Sequence, residues 1–203
     1  MSSGTPVYPI VKRLFDLTVC IAALPVVVPA LVLIAIAVRV DSPGPVVFTQ
    51  LRTGRHGVRF RMYKFRTMVR NAEELKASLQ HLNILPPPDF KIPNDPRITR
   101  VGRFLRKTSL DELPQVLNVL RGEMSLVGPR PTSFAPSTYA LWHTQRLEAV
   151  PGITGLWQVY GRNSMTFDER LRLDVAYLRT MSFALDLKIL ALTVGSVVRR
   201  SGA

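Results

Sequence analysis

Residues 17–38 read LTVCIAALPVVVPALVLIAIAV, an uncharged run preceded by Lys12 and Arg13 and closed by Arg39 and Asp41. The run is long enough for a membrane-spanning helix. A secretory signal is disfavoured, because the apolar region is long and no small-x-small cleavage site comes after it. Two features argue against a simple span. Pro25 and Pro29 lie one turn apart in its middle, and each removes a helix hydrogen bond and presses on the preceding turn. Both flanks are also basic: Lys12 and Arg13 on one side, and Arg39, Arg52, Arg55, Arg59, Arg61, Lys64, Arg66 and Arg70 on the other. A spanning helix is expected to show an asymmetry of Lys and Arg, whereas a helix that breaks and returns to the same face is not. The chain therefore reads as re-entrant over residues 1–40, with a kinked spanning helix as the alternative.

Composition supports that division. The chain has 203 residues, 47% of them hydrophobic, and a formal net charge of +13, with a mean hydropathy of +0.15. High apolar content and high charge coexist because the apolar residues are concentrated in one segment. The excess of positive charge implies an anionic partner: nucleic acid, an anionic lipid surface or phosphorylated substrates. No acid interrupts the stretch from Arg52 to Arg70, which suits contact with anionic membrane lipids. The single Cys20 excludes an internal disulfide framework. No Cys or His cluster suggests zinc, so a bound metal would be a hard, oxygen-liking ion.

Residues 41–203 read as one cytosolic α/β unit, mostly helical with a small β-hairpin. Asp41-Ser42-Pro43-Gly44-Pro45 is a turn-rich boundary. Val46–Gln50 and Arg59–Phe65 read as short strands, with Gly54 and Gly57 suiting the hairpin between them. Val69–Leu82 has an amphipathic helical period, ended by Pro86-Pro87-Pro88. A further helical stretch carries Arg97, Arg100, Arg103 and Arg106. Ser137–Val150 reads as helical, and Pro151–Arg162 as loops around a short strand. Thr166-Phe167-Asp168-Glu169 is a capping box for a helix through Leu178. The apolar stretch Phe183–Val198 is too charged to span, with Asp186 and Lys188 inside it. It reads as an interfacial helix or as a core helix.

Between these lies Thr108-Ser109-Leu110-Asp111-Glu112-Leu113-Pro114-Gln115, and beyond it Gly128-Pro129-Arg130-Pro131. Leu110, Leu113, Leu117 and Leu120 recur at helical spacing. Pro114 is tolerated only in a first turn, which predicts a helix start near Asp111 and a stop at Gly122. Asp111 and Glu112 then share a helix N-terminus, where the dipole keeps carboxylates ionised. Ser109-x-x-Glu112 is equally a capping box, and acids in a first turn are ordinary.

Four ordered motifs carry a resemblance: Asp111-Glu112, Asn94-Asp95-Pro96-Arg97-Ile98-Thr99, Gly128-Pro129-Arg130-Pro131 and Pro151-Gly152-Ile153-Thr154-Gly155. From about Lys12 to Ser201 the chain resembles the bacterial sugar transferases, monotopic enzymes that load a sugar phosphate onto a polyprenyl phosphate. The resemblance implies the re-entrant helix-break-helix, with Val28-Pro29 where the family usually has Ser-Pro. It implies that Asp111 is a nucleophile forming an acyl phosphate and that Glu112 holds Mg²⁺. It also implies substrate contacts from Lys64, Arg106 and Asp174. Arg130 and Arg162 stand in stiff or glycine-loosened loops suited to two-point contact with phosphate. The expected reaction moves a hexose 1-phosphate from a UDP-sugar to undecaprenyl phosphate and releases UMP. Its expected place is the cytoplasmic face of the bacterial inner membrane, at the start of polysaccharide or glycoconjugate assembly.

Two rivals arise from the charge and the anchor. A membrane-anchored nucleic-acid-binding module would need stacking or base-reading motifs on the basic strands, and none is evident. A non-catalytic scaffold is disfavoured by the intact Asp111 and Glu112. The sequence does not name the sugar. It leaves open whether a homodimer forms and whether the chain is complete, since some related enzymes carry a further N-terminal membrane domain.

Overall fold

The computed structural model describes residues 7–85, 89–135, 137, 139–161 and 165–198. Helix α1 spans Val7–Asp41, 35 residues, about 52 Å at the α-helical rise. It begins well before the apolar run because its polar residues find partners on the folded body. Arg13 donates from Nη1 to the Val119 carbonyl (2.6 Å) and from Nη2 to that of Leu120 (3.0 Å). Asp16 accepts from Ser125 Oγ (2.6 Å), and Lys12 pairs with Asp186 at 2.7 Å. The other end is also docked. Val38 is buried with Phe65 and Leu105, and Asp41 accepts from the Val101 amide at 2.9 Å. Between the two ends Val26, Val28, Val32, Leu33 and Ile36 are exposed. Helical backbone runs through Pro25 and Pro29, so the prolines do not interrupt it. Each removes one hydrogen bond, which can bend a helix without ending it.

Strands β1 (Val47–Thr53) and β2 (Arg59–Phe65) form the expected hairpin, in register from Val47↔Phe65 to Thr53↔Arg59. Its turn holds His56 and Gly57 at positive φ. The helix expected over Val69–Leu82 shrinks to α2 (Glu74–Ser78) and a 3-10 turn at Gln80–Leu82. Leu75 and Leu82 stay exposed; without a packed apolar face, propensity alone does not sustain a long helix. Helix α3 (Arg100–Thr108) is capped by Thr99, whose hydroxyl accepts from the Gly102 amide.

A second sheet lies beneath the Arg130 loop. Strands β3 (Ser125–Val127) and β4 (Gly152–Thr154) run parallel, with Ser125 opposite Gly152 and Val127 opposite Thr154. The glycines of the two motifs have a common physical reason. A methyl on Gly128 or Gly152 would fall on backbone of the opposite strand, and one on Gly155 would fall on the Gly128 carbonyl. Gly152→Ala should therefore force the strands apart and destabilise the protein by about 3 kcal/mol. Thermal or denaturant unfolding checks this, and an unchanged midpoint would contradict the close packing.

Helices α5 (Leu156–Tyr160), α6 (Phe167–Thr180) and α7 (Phe183–Val198) complete the body. The Thr166–Glu169 capping box forms as expected. Helix α7 packs on the core by one face and leaves the other exposed. Ile189 is buried with Val127, Tyr177 and Leu178, while Leu187, Leu192 and Val194 face outward.

Candidate active site

Ser109 decides how the two acids are presented. It adopts the left-handed conformation (φ 57°) at the end of α3, which ends one helix and turns the chain in a new direction. Leu110–Gln115 then forms a 3-10 segment, and α4 begins only at Val116 (Val116–Arg121). The capping box does not form at Ser109: its side chain makes no cap bond, and its carbonyl accepts from the Glu112 amide at 3.2 Å. The tighter turn also shifts the inward face. Gln115, Asn118 and Val119 are buried, while Leu117 is exposed, contrary to the leucine periodicity. Asn118 is inside because it serves the outer edge of β2, accepting from the Tyr63 amide and donating to the Arg61 carbonyl. Gly122 closes α4 at φ 82°, as expected.

Glu112 is clamped by two cations. Lys64 reaches its Oε1 at 2.7 Å, while Arg130 reaches Oε1 at 2.5 Å and Oε2 at 3.4 Å. Burial alone would raise the pKa of this carboxyl, but Arg130 and Lys64 outweigh it and hold Glu112 well below the usual carboxylate range. Lys64, in turn, is lowered by burial against the pull of Glu112. Asp111 differs from its neighbour. Its side chain has no hydrogen-bond or ion-pair partner among the described residues. Burial raises its pKa, with Lys64, Arg106 and Arg130 pulling it back. The two adjacent carboxylates thus differ in setting: Glu112 is clamped and held ionised, and Asp111 has no side-chain partner among the described residues.

Arg106 approaches from α3, anchored by its Nε to Thr67 Oγ1 at 2.9 Å. Lys64, Arg106, Asp111, Glu112 and Arg130 therefore converge. Asp174 does not join them directly. It is buried in α6 behind the Arg130 loop, 2.6 Å from Arg146 Nη2. Burial pushes it up to about 7, while Arg146 and the Arg130 amide pull it back down. Arg162 lies outside the described residues. Sequence reasoning missed Arg146 and Arg52. Arg52 donates to the Pro131 carbonyl (3.3 Å) and to Gln50 (2.5 Å) beside Arg130. Its only sequence signal is membership of the acid-free basic stretch, and Arg146 has none.

The Asn94–Thr99 motif is architectural. Asp95 and Arg97 are both buried and joined at two points, Nε–Oδ1 2.9 Å and Nη2–Oδ2 2.7 Å, and Arg97 also donates to the Ala72 carbonyl. Hydrogen bonds from Arg97 hold the Asp95 carboxyl below its ordinary value. The resulting stability is complete above the unfolded carboxylate pKa, about 3.9, and is lost as pH falls through the lower folded value. Asp95→Asn should therefore flatten the acid limb of melting temperature against pH; superimposable acid limbs would contradict this.

Hard divalent ions take one or two carboxylates plus substrate phosphates, and adjacent Asp111 and Glu112 fit that donor set. The Oε2 of Glu112 has only the long 3.4 Å contact, so it keeps more acceptor capacity than Oε1.

Comparison with known proteins bears on what such a site does. A family profile described as bacterial sugar transferase matches residues 7–200. The galactosyl transferase CpsE of Streptococcus agalactiae is 45% identical over 196 residues, covering 96% of this chain and 43% of its own. An undecaprenyl-phosphate galactose phosphotransferase of Salmonella typhimurium is 47% identical over 197 residues, covering 95% of this chain and 41% of its own. An undecaprenyl-phosphate glucose phosphotransferase of Komagataeibacter xylinus is 44% identical, covering 90% of this chain and 35% of its own. The chain thus spans less than half the length of these relatives.

Proposed function

Because this chain belongs to the bacterial sugar transferase family, we propose that it transfers a hexose 1-phosphate from a UDP-sugar to undecaprenyl phosphate, releasing UMP. The observation that carries this reading is the asymmetric acid pair: Glu112 clamped by Lys64 and Arg130, beside an Asp111 with no side-chain partner among the described residues. An Asp111 oxygen attacks the phosphorus that bears the sugar, forming an aspartyl phosphosugar and breaking the bond to UMP. A phosphate oxygen of undecaprenyl phosphate then attacks the same phosphorus, restoring the Asp111 carboxylate and leaving sugar diphosphate on the lipid. Arg130, Lys64 and Arg106 neutralise the diphosphate and hold it in line. Mg²⁺, held by Glu112 with substrate phosphates, supplies further neutralisation of charge when bound. The names of the relatives support the lipid and the sugar-phosphate chemistry, and differ in the sugar.

We infer that the reaction takes place at the cytoplasmic face of the bacterial inner membrane. Both ends of α1 bind the same folded body, Lys12 through Asp186 and Asp41 through the Val101 amide, which supports a re-entrant path over a crossing. Cysteines replacing Val7 and Val58, both exposed, should then react alike with an impermeant thiol reagent from the cytosolic side. Native Cys20 is buried. Labelling from opposite sides would sink the re-entrant path.

The function is tested with a panel of UDP-sugars, undecaprenyl phosphate and Mg²⁺. Sustained UMP release should require one particular UDP-sugar and the lipid phosphate together. Steady release without the lipid, or none with any sugar, would contradict the proposal.

A further inference from the structure

We propose that Arg146 is a positioning residue for Arg130, held in place by Asp174. The inference rests on the reading of Arg130 as a residue of the Asp111–Glu112 site. Arg146 is 3% exposed and Asp174 1% exposed. A buried ion pair is a poor source of stability, because taking both charges out of water offsets most of their attraction. Its geometry suggests a different use. The Arg146 guanidinium pairs with Asp174 at 2.6 Å and donates from the same Nη2 to the carbonyl of Arg130.

The loop it touches is anchored with unusual completeness. Three successive carbonyls are each held by a different element: Pro129 by the Gly152 amide (2.9 Å), Arg130 by Arg146, and Pro131 by Arg52 (3.3 Å). The flanking prolines have no N–H to donate and fix their own φ. Arg146 grips the central residue, whose side chain then reaches Glu112 at two points. Asp174 orients Arg146 from α6, so a chain of contacts runs from α6 through Arg146 and Arg130 to Glu112. Lysine at position 146 could keep an ion pair with Asp174, but an ammonium on a flexible stem would not fix both contacts at one point as the rigid guanidinium does from Nη2.

The test uses the full chain in nanodiscs, as wild type, Arg146→Lys, Asp174→Asn and Arg130→Lys, with side-chain NMR of arginine labelled with ¹⁵N. Arg130→Lys identifies the Arg130 signals. A guanidinium gripped at two points rotates slowly and should give separate Nη signals in the wild type. These should merge into one average in Arg146→Lys and in Asp174→Asn. In turnover, Arg146→Lys should lower kcat about tenfold in the wild type but less than about twofold once residue 130 is already lysine, the non-additivity expected of groups acting through one another. Unchanged Arg130 signals in the folded variants would overturn the proposal, as would equal fractional losses in the two backgrounds. Unfolding of both Arg146→Lys and Asp174→Asn would assign the pair to the core and overturn it too. The spectra need no turnover, so a wild type inactive toward every UDP-sugar would count against the function and not against this positioning.

Discussion

Asp111→Asn should cost at least ~10³-fold in UMP release, the scale seen when a nucleophile is removed from a covalent mechanism. An amide nitrogen or oxygen carries no negative charge to attack phosphorus, so both half-reactions lose their entry. Stability should move the other way. The folded environment raises the Asp111 pKa, chiefly through burial, so at neutral pH the ionised carboxylate is disfavoured by the fold and neutral asparagine removes that cost. No side-chain hydrogen bond of Asp111 is broken among the described residues. An inactive protein that melts no lower than wild type is the expected pairing. Turnover within a few-fold of wild type would remove Asp111 from its role, and inactivity accompanied by a lower melting point would point to misfolding.

Arg130→Lys should cost about 10- to 100-fold, the worth of roughly 1.5–3 kcal/mol in hydrogen bonds to a charged partner. The guanidinium reaches both oxygens of Glu112, and a lysine ammonium cannot span them in a fixed plane. Lys64 remains on Oε1, so Glu112 stays ionised and the fold should persist. Steady-state rates with saturating lipid check the size of the loss. A lysine enzyme matching wild type would mean that diffuse positive charge suffices there. The same substitution at Arg162 is expected to behave likewise on the family resemblance.

The features legible in the sequence are those that local physics decides. Thr166 and Glu169 cap α6 reciprocally because both partners lie within one turn. Gly122 ends α4 because its positive φ suits glycine. The β1–β2 hairpin forms from strands flanking Gly54 and Gly57. Elements that depend on distant partners depart from their local patterns. The start of α1 lies before the apolar run because Arg13 and Asp16 are satisfied by α4 and β3. The same capping-box pattern that works at Thr166 fails at Ser109, whose left-handed backbone turns its side chain away from that role.

The candidate site divides in the same manner. Motifs single out Asp111, Glu112 and Arg130, the family resemblance adds Lys64 and Arg106, and these residues converge. Their separate tasks are not legible, because the clamp on Glu112 draws on β2 and on the loop after β3, far apart in the chain. The family resemblance implies Asp174 as a substrate residue; its position behind Arg130 becomes visible only with Arg146, which no local pattern marks.

The covalent step can be observed on the protein itself. The protein mixed with UDP-sugar and Mg²⁺, without lipid phosphate, is quenched and analysed by intact mass and peptide mapping. About one equivalent of UMP per protein is expected, with the mass of one sugar phosphate on the peptide carrying Asp111, discharged when undecaprenyl phosphate is added. A mass gain on another residue, or no gain with UMP formed only once lipid phosphate is present, would contradict it.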